Sequence, residues 1–484
     1  MTVLSYRHVH GPSVKASAAP HVIHRYRRNA PRRAPCPHCG RLGRRRQVLP
    51  TRTVRGIAYH AVLFVHVTTA EYRAACACST TFRTYIEGVE PKAHYSNTVR
   101  EAVLDRLLDD HMNLEQIRQA LQRDFFLDLS ADFVHQCLHW KIQQLDLPSY
   151  RRWTLEHFSG TLCVDELHLG SYTLLLATDP LHDFPVAFAL VSRNDQEHMR
   201  RFLGNLRRHG LQPRVVITDG SSLYPTVLAT LWPQAEHQLC VFHVLQDINQ
   251  HVLDAVREEQ RRLRRRSGKN RRRRGDRPPR RRTPARGPTL RDQAYFVFKH
   301  RYLLVKRADH FTAADRHQLQ LLLQYAPALR PVRAFVEEVH HLFASWQTPA
   351  QAYRRRQRLC GNVAYAADPH LAKVLAMLAP ALFDKMIAFL RSPAGQRVRT
   401  NNHVERTNRQ LRLFEKIRYR WRRRGAIVRF VVLLVTRQWQ RRRTPTERTS
   451  PGSSAMPQAD PRGRPWQPAP VRSPQQAEPY DQAA

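Results

Sequence analysis

The sequence predicts an α/β protein: a mixed sheet core interrupted by a helical insertion and preceded by two small modules. Three observations predict it. Apolar runs of strand length at 162–164, 172–177 and 184–191 are followed by a helical stretch, a fourth run at 215–218, a further helix and a fifth run near 238–242. Between 292 and 394 the apolar residues recur only at helical spacing. Ahead of the core, two close cysteine pairs bound a segment rich in β-branched and aromatic residues.

Composition narrows the possible partners. With 484 residues, 42% of them hydrophobic, the chain suffices for two or three domains and at least one sizeable core. Its formal net charge of +41, from 80 Lys and Arg against 39 Asp and Glu, exceeds what solubility needs and suits nucleic acid as a polyanionic partner. The most apolar run, 426–436, contains Arg429 and falls short of the ~20 residues that cross a bilayer. No apolar leader precedes a small-residue cleavage site, and no basic amphipathic helix marks a membrane surface. Eight cysteines fit a reducing compartment, where paired cysteines hold metal more often than they form disulfides. The expectation is a cytoplasmic, nucleoid-associated protein with no membrane partner.

Taken in order, 1–34 reads as a basic, disordered arm. Residues 35–92 read as a zinc-ribbon-like module, since Cys36, Cys39, Cys76 and Cys78 supply four thiols for a tetrahedral Zn²⁺, with His38 and His66 as competing ligands. In 93–150, helix starts fall at Ser96, at Asn113 with Gln116 three residues on, and at Ser130. Three short helices with tight connections suit a helix-turn-helix DNA-binding domain or an ordinary helical bundle segment. The first part of the core, 155–250, has three strands followed by α-β-α-β, which is the order of an RNase H-like domain. In that fold the first and fourth strands are neighbours. Residues 251–291 read as a disordered arginine-rich linker whose Arg271, Arg272 and Arg273 bind DNA phosphates without reading bases. The helical insertion occupies 292–394, and 395–440 reads as the second part of the core, with the apolar run 427–435 returning to the sheet. From 441 to 484 the chain is Pro-, Ser- and Gln-rich, as in a disordered tail.

Three carboxylates stand out. Asp165 and Asp219 each end an apolar strand, and Glu405 lies in a helix. Brought together, they suffice to hold a pair of Mg²⁺ (or Mn²⁺) ions for phosphodiester chemistry. Glu166, Asp179, Asp183 and Asp195 are competitors, but none both ends the first or fourth strand and points, by strand alternation, to the side Asp165 uses.

The residues Asp165, Thr218-Asp219-Gly220, Gln238-Leu-Cys-Val-Phe-His243 and Asn401-Asn-His-Val-Glu-Arg406 with Asn408 and Arg409 resemble the DDE transposases of bacterial insertion sequences, across most of 155–440. The Cys-x-x-His element and the helical insertion look like the Mutator-like branch, and the zinc-bearing head is similar to another insertion-sequence group. The resemblance implies an enzyme that binds terminal inverted repeats of double-stranded DNA, hydrolyses a phosphodiester at the element ends and joins the freed 3′ hydroxyl to a target. It implies that Asp165 bridges two Mg²⁺ ions, with Asp219 on one and Glu405 on the other, in a homo-oligomer on DNA. Around this triad, His243 is expected near the active centre, with Cys240 packed in the core and Asn402 and Arg406 in support. Arg406 and Arg409 suit either phosphate contact or a solvated basic face, and Arg422 and Arg423 could track the donor strand. Alternatives on the same residues are a transposase-derived DNA-binding regulator without catalysis and an RNase H-like nuclease or resolvase.

Overall fold

In the computed structural model, residues 20–78, 80–272, 287–417 and 423–442 are described, without the side chains of 268–272. The chain divides into two units, one of residues 1–150 with 410–481 and one built on 151–409.

The first unit starts from a sheet of β1 (His21–Asn29), β2 (Arg33–Pro35), β3 (Leu42–Val48), β4 (Arg52–Arg55), β5 (Ala61–Arg73) and β6 (Thr81–Arg83). β5 organises it. Along its first half Ala61, Leu63, Val65 and Val67 are buried and the alternate residues half-buried, the period-2 pattern of a strand with one face on a core. β1 runs parallel to that half, from His21↔Ala61 to Asn29↔Thr69, and β4 flanks its other side. β3 and β6 pair with the second half. The arm expected over 1–34 therefore carries two strands, and its residues 1–19 lie outside the described ones. β1 escaped the sequence pattern because its side chains are mostly exposed and its order comes from main-chain pairing with β5.

The helices α1 (Asn97–Leu108), α2 (Leu114–Phe125) and α3 (Ala131–Ile142) begin directly after Ser96, Asn113 and Ser130. Asn113 and Gln116 form a reciprocal capping box, and Ser130 accepts from the Phe133 amide, which satisfies otherwise orphaned N–H groups. α4 (Leu147–His157) follows.

The second unit holds a sheet of β7 (Thr161–Leu169), β8 (Tyr172–Asp179), β9 (Phe184–Val191), β10 (Val215–Thr218) and β11 (Glu236–Leu239), in the order β11-β10-β7-β8-β9. β7, β8 and β9 are antiparallel neighbours; β10 lies parallel to both β7 and β11. α5 (Gln196–Arg208) and α6 (Tyr224–Leu231) pack Met199, Phe202, Leu203, Val227 and Leu228 against Leu162, Val164, Leu175 and Val216 of the sheet.

α7 (Val241–Arg272) then runs far into the segment expected to be a disordered linker. The reason is a buried stripe, Val244, Ile248, Val252, Ala255, Val256 and Leu263, at helical spacing beneath the arginines. Against it pack α8 (Leu290–Lys299), α9 (Ala313–Tyr325), α10 (Arg330–Leu342), α11 (Pro349–Cys360), α12 (Val363–Ala366), α13 (Pro369–Met377) and α14 (Pro380–Met386), which form the expected insertion. Gln238 of β11 ties insertion to sheet: wholly buried, it donates to the Met386 carbonyl at 2.9 Å and accepts from the Phe389 amide at 2.7 Å. Gln238→Leu strands both main-chain groups, so urea unfolding should show a loss of about 2–4 kcal/mol.

α15 (Asn402–Ile417) serves the second unit as far as Arg409, and the chain from Gln410 belongs to the first. α16 (Arg424–Arg442) carries the apolar run expected to return to the catalytic sheet. It packs instead along α3 in the first unit, where Arg429 meets His139 at 2.7 Å, and is held further by Arg437 on Asp105 and Asp109, Arg441 on Asp109, and Trp439 edge-on to Tyr150. Among the described residues no helix is long and apolar enough to cross a membrane.

Candidate active site

Parallel pairing of β7 and β10 builds the centre of the site. The last paired residues are Cys163 and Ile217; two steps further along each strand stand Asp165 and Asp219. Asp165 does not end its strand, as the sequence suggested. β7 continues to Leu169 paired with β8 alone, so Asp165 sits where β7 has just lost its β10 neighbour. Asp219 follows the end of β10, and its Oδ1 accepts from the Ser221 amide at 2.9 Å, which fixes the carboxylate at the turn.

A third carboxylate joins them. One oxygen from each of Asp165, Glu166 and Asp219 lies within 4.8 Å of the others, a spacing that suits a shared metal ion. Strand alternation had set Glu166 aside. That rule holds inside a sheet, whereas here β7 has a free edge, and a glutamate side chain is long enough to reach round it. Glu405 is not part of this close cluster, although its charge acts on Asp165. Two cations flank it: His243, on the first turn of α7, with Nε2 3.8 Å from Glu405 Oε1, and Arg409, 3.7 Å from its other oxygen.

The electrostatics are those of a site prepared for positive charge. Burial, reinforced by Asp219 and Glu405, pushes Asp165 up to about 6. Burial, with Asp219 and Asp165 facing it, pushes Glu166 up to about 7. The Cys240 sulfur, aided by Glu405 and Asp165, raises His243 to about 9 against the effect of burial. Oε1 of Glu166 and Oε1 of Glu405 are buried without a hydrogen-bond partner. Mutually repelling carboxylates with orphaned oxygens are the donor set a hard divalent cation satisfies, so the residues fit Mg²⁺ or Mn²⁺.

The Asn-Asn-His-Val-Glu-Arg block fastens α15 to the sheet. Asn401 donates to the Val164 carbonyl at 3.2 Å, and its amide N–H meets Cys240 Sγ at 3.2 Å. Asn408 Nδ2 donates to Asp165 Oδ2 at 2.8 Å. His403, held down to about 4 chiefly by burial and therefore neutral, shares Asp183 with Arg406, at 2.6 and 3.2 Å. Sequence reasoning placed Asn402 in support, but Asn402 is exposed and the contacts fall to Asn401 and Asn408. The signal was present: a separation of seven residues on a helix puts both on one face. Arg406, Arg409 and Arg423 are exposed. Arg422, Arg273 and the side chains of Arg271 and Arg272 lie outside the described residues.

A second constellation lies in the first unit. One sulfur from each of Cys36, Cys39, Cys76 and Cys78 comes within 4.8 Å of the rest. Cys36 and Cys39 sit on a tight turn closed by the Gly40 amide on the Cys36 carbonyl at 2.9 Å, with Gly40 at φ +72°. Burial pushes the Cys36 thiol up, yet the main chain at His38 and Cys39 and the neighbouring thiols outweigh it, leaving about 7. Its neighbours Cys76 and Cys39 push Cys78 up to about 12. Four thiols crowded in this way fit a tetrahedral metal such as Zn²⁺. His66, a competitor by sequence, is engaged with His24 at 2.9 Å.

No curated protein matches the chain in sequence. Residues 162–424 match the family model of the ISL3 group of DDE transposases, described as transposase. The match opens on β7 ahead of Asp165, takes in Asp219, His243, the helical insertion and Glu405, and closes at the start of α16. It spans more than half of the chain, and by it this protein belongs to the DDE transposase family of the ISL3 group.

Proposed function

We propose that the protein is a metal-dependent DNA transposase that binds the terminal inverted repeats of its element, cuts the strand at each end and transfers the freed 3′ hydroxyl to target DNA. The observation that carries the reading is the convergence of Asp165 and Asp219 where adjacent parallel strands part, in a chain of this family with a net charge of +41. The strand order, three antiparallel strands followed by two parallel ones beside the first, supports an RNase H-like core.

Asp165 and Asp219 hold the divalent ions, Glu405 completes the triad from α15, and Glu166 adds charge at the β7 edge. Bound there, Mg²⁺ supplies nucleophile activation and leaving-group stabilisation. The protein's own groups supply orientation. Asn408 holds one Asp165 oxygen, Asn401 locks α15 to β7, and His243, carrying a positive charge, faces the anionic centre and suits contact with the scissile phosphate. α1 to α3 act as the end-binding helices, the cysteine module braces them with Zn²⁺, and the arginine-rich segments take phosphates. Two ends must meet for joining, so the working form is a homo-oligomer.

The test is cleavage and joining on a labelled duplex carrying the element's own ends, with Mg²⁺ or Mn²⁺. Metal-dependent cutting followed by joined product supports the transposase. Binding without cutting would make the chain a regulator, and cutting without joining a nuclease or resolvase. Within this reading Asn408 is a positioning residue, and Asn408→Ala should cost about 10–100-fold in cleavage. The loss should appear as a higher metal concentration at half-maximal rate, with end binding unchanged in a gel-shift titration.

A further inference from the structure

The outer face of the first sheet carries rings that neither the metal centre nor the cysteine module uses. The even-numbered residues of β1 and β5 share that face, since the odd-numbered partners Leu63, Val65 and Val67 point into the small core. On it Phe64, His24, His66 and Tyr26 form one stack. Ring centroids are 5.5 Å apart for His24 and Phe64, 5.2 Å for His24 and His66, and 4.6 Å for Tyr26 and His66, with planes tilted by 22°, 16° and 19°. Arg55 closes the inner end with its guanidinium 5.1 Å from the Phe64 ring, and Thr53 and His24 hydrogen-bond to the two nitrogens of His66. The outer end is open. Tyr26 is 78% exposed, and Arg28 follows it two residues on along the same face.

A flat stack that ends in a solvent-exposed ring beside cationic side chains accepts another flat ring bearing an anion. Arg28 on this face, and Arg25 and Arg27 on the opposite face of the same strand, have no carboxylate partner among the described residues, so the charge of β1 is not paired by them. In a duplex both faces of each base are already covered by neighbours. Only unpaired bases can continue the row, and their phosphates then lie within reach of the arginines. We infer that this face is a docking platform for a short stretch of single-stranded DNA, with a base stacked on Tyr26 and its phosphate at Arg28. The inference stands on the exposed face and does not depend on the metal centre.

The full-length chain carrying Asp165→Asn, which cuts nothing, is titrated with a labelled oligothymidylate and with a duplex of equal length. Raised salt suppresses the phosphate contacts of the arginine-rich segments and leaves stacking. Tyr26→Ala should weaken single-strand binding by about tenfold and leave duplex binding unchanged, while Tyr26→Phe binds as the parent does. Ultraviolet cross-linking should attach the oligonucleotide to the peptide containing Tyr26, and the melting temperature of Tyr26→Ala should equal the parent's. Unchanged single-strand affinity in Tyr26→Ala would overturn the inference. So would an equal loss on the duplex, tighter binding of oligouridylate than of oligothymidylate, or a change in oligomeric state with DNA binding intact, which would make the face a protein contact. If the wild-type chain binds and cuts ends normally while Tyr26→Ala in the Asp165→Asn background has no effect on single-strand binding, this inference alone is removed; failure of the wild type to cut ends leaves it standing.

Discussion

Asp165→Asn and Asp219→Asn are each expected to reduce metal-dependent cleavage of the element end by about 10³-fold or more, because a metal-stabilised transition state is worth several kcal/mol and each 1.36 kcal/mol is a factor of ten. The two carboxylates stand where adjacent parallel strands part, so removing either charge takes away one of the few carboxylates that would hold the ions. Binding of end DNA should persist in both variants, since α1 to α3, the helices proposed to bind the ends, belong to the other unit. Glu405 and Glu166 separate on the same assay. Glu405→Gln is expected to fall as far as the aspartate variants, in keeping with the role proposed for it as the third member of the triad. Glu166→Gln is expected to keep a plateau rate within about tenfold of the parent and to shift the Mg²⁺ dependence upward, because it tunes the charge of the site from the free edge of β7. Cleavage by metal titration checks all four. If Glu166→Gln abolishes cutting and Glu405→Gln spares it, the close cluster of Asp165, Glu166 and Asp219 is the metal site and Glu405 is a partner of His243.

This division also marks what the sequence made legible. The strands of the second unit are apolar because both faces of the sheet are covered, so their positions could be read from the apolar runs, and the adjacency of Asp165 and Asp219 was expected from the RNase H-like order of the elements. The capped helix starts at Asn113 and Ser130 were legible for a different reason: capping is local chemistry written within four residues. Other features depend on partners distant in sequence. β1 is a strand only because β5 pairs with it, and α7 is ordered only because the insertion helices cover its apolar stripe. Asn408 reaches Asp165 across 243 positions; helical spacing puts it on one face with Asn401, but which residue that face meets is set by the fold. The arginine density of the segment after Val256 hid a helix because charge lies on the outer face while Leu263 faces in.

The second largest expected effect is loss of the Zn²⁺ proposed for the four-cysteine cluster. Treatment with a strong chelator, or Cys36→Ser with Cys39→Ser, should remove one zinc per chain in a colorimetric release assay and lower end binding by about 100-fold or more, given that structural zinc is worth about 10–16 kcal/mol in small modules. The region around β2, β3 and β6 has little else to hold it: its core is Ala34, Ala70 and Tyr72, with Ala30 and Phe82 beside them. The half of the sheet on β1 and β4 keeps its own core of Val54, Leu63, Val65, Val67 and Val89, so the loss should be local, seen as amide exchange rising in 33–48 and 70–83 with 61–67 protected. Acid acts in the same direction as chelator. Zinc binds thiolates and displaces protons, so with Cys36 at about 7 and Cys78 at about 12 in the metal-free cluster, affinity for the metal falls as pH drops and rises as it climbs. Asp165, Asp219 and Glu405 belong to the other unit, so under the proposed function the stripped protein should still cut DNA nonspecifically with Mg²⁺ while its preference for the element end disappears. Retention of end preference after complete zinc release would mean that α1, α2 and α3 keep their DNA-binding geometry without the metal module, and that the four cysteines serve only the local fold.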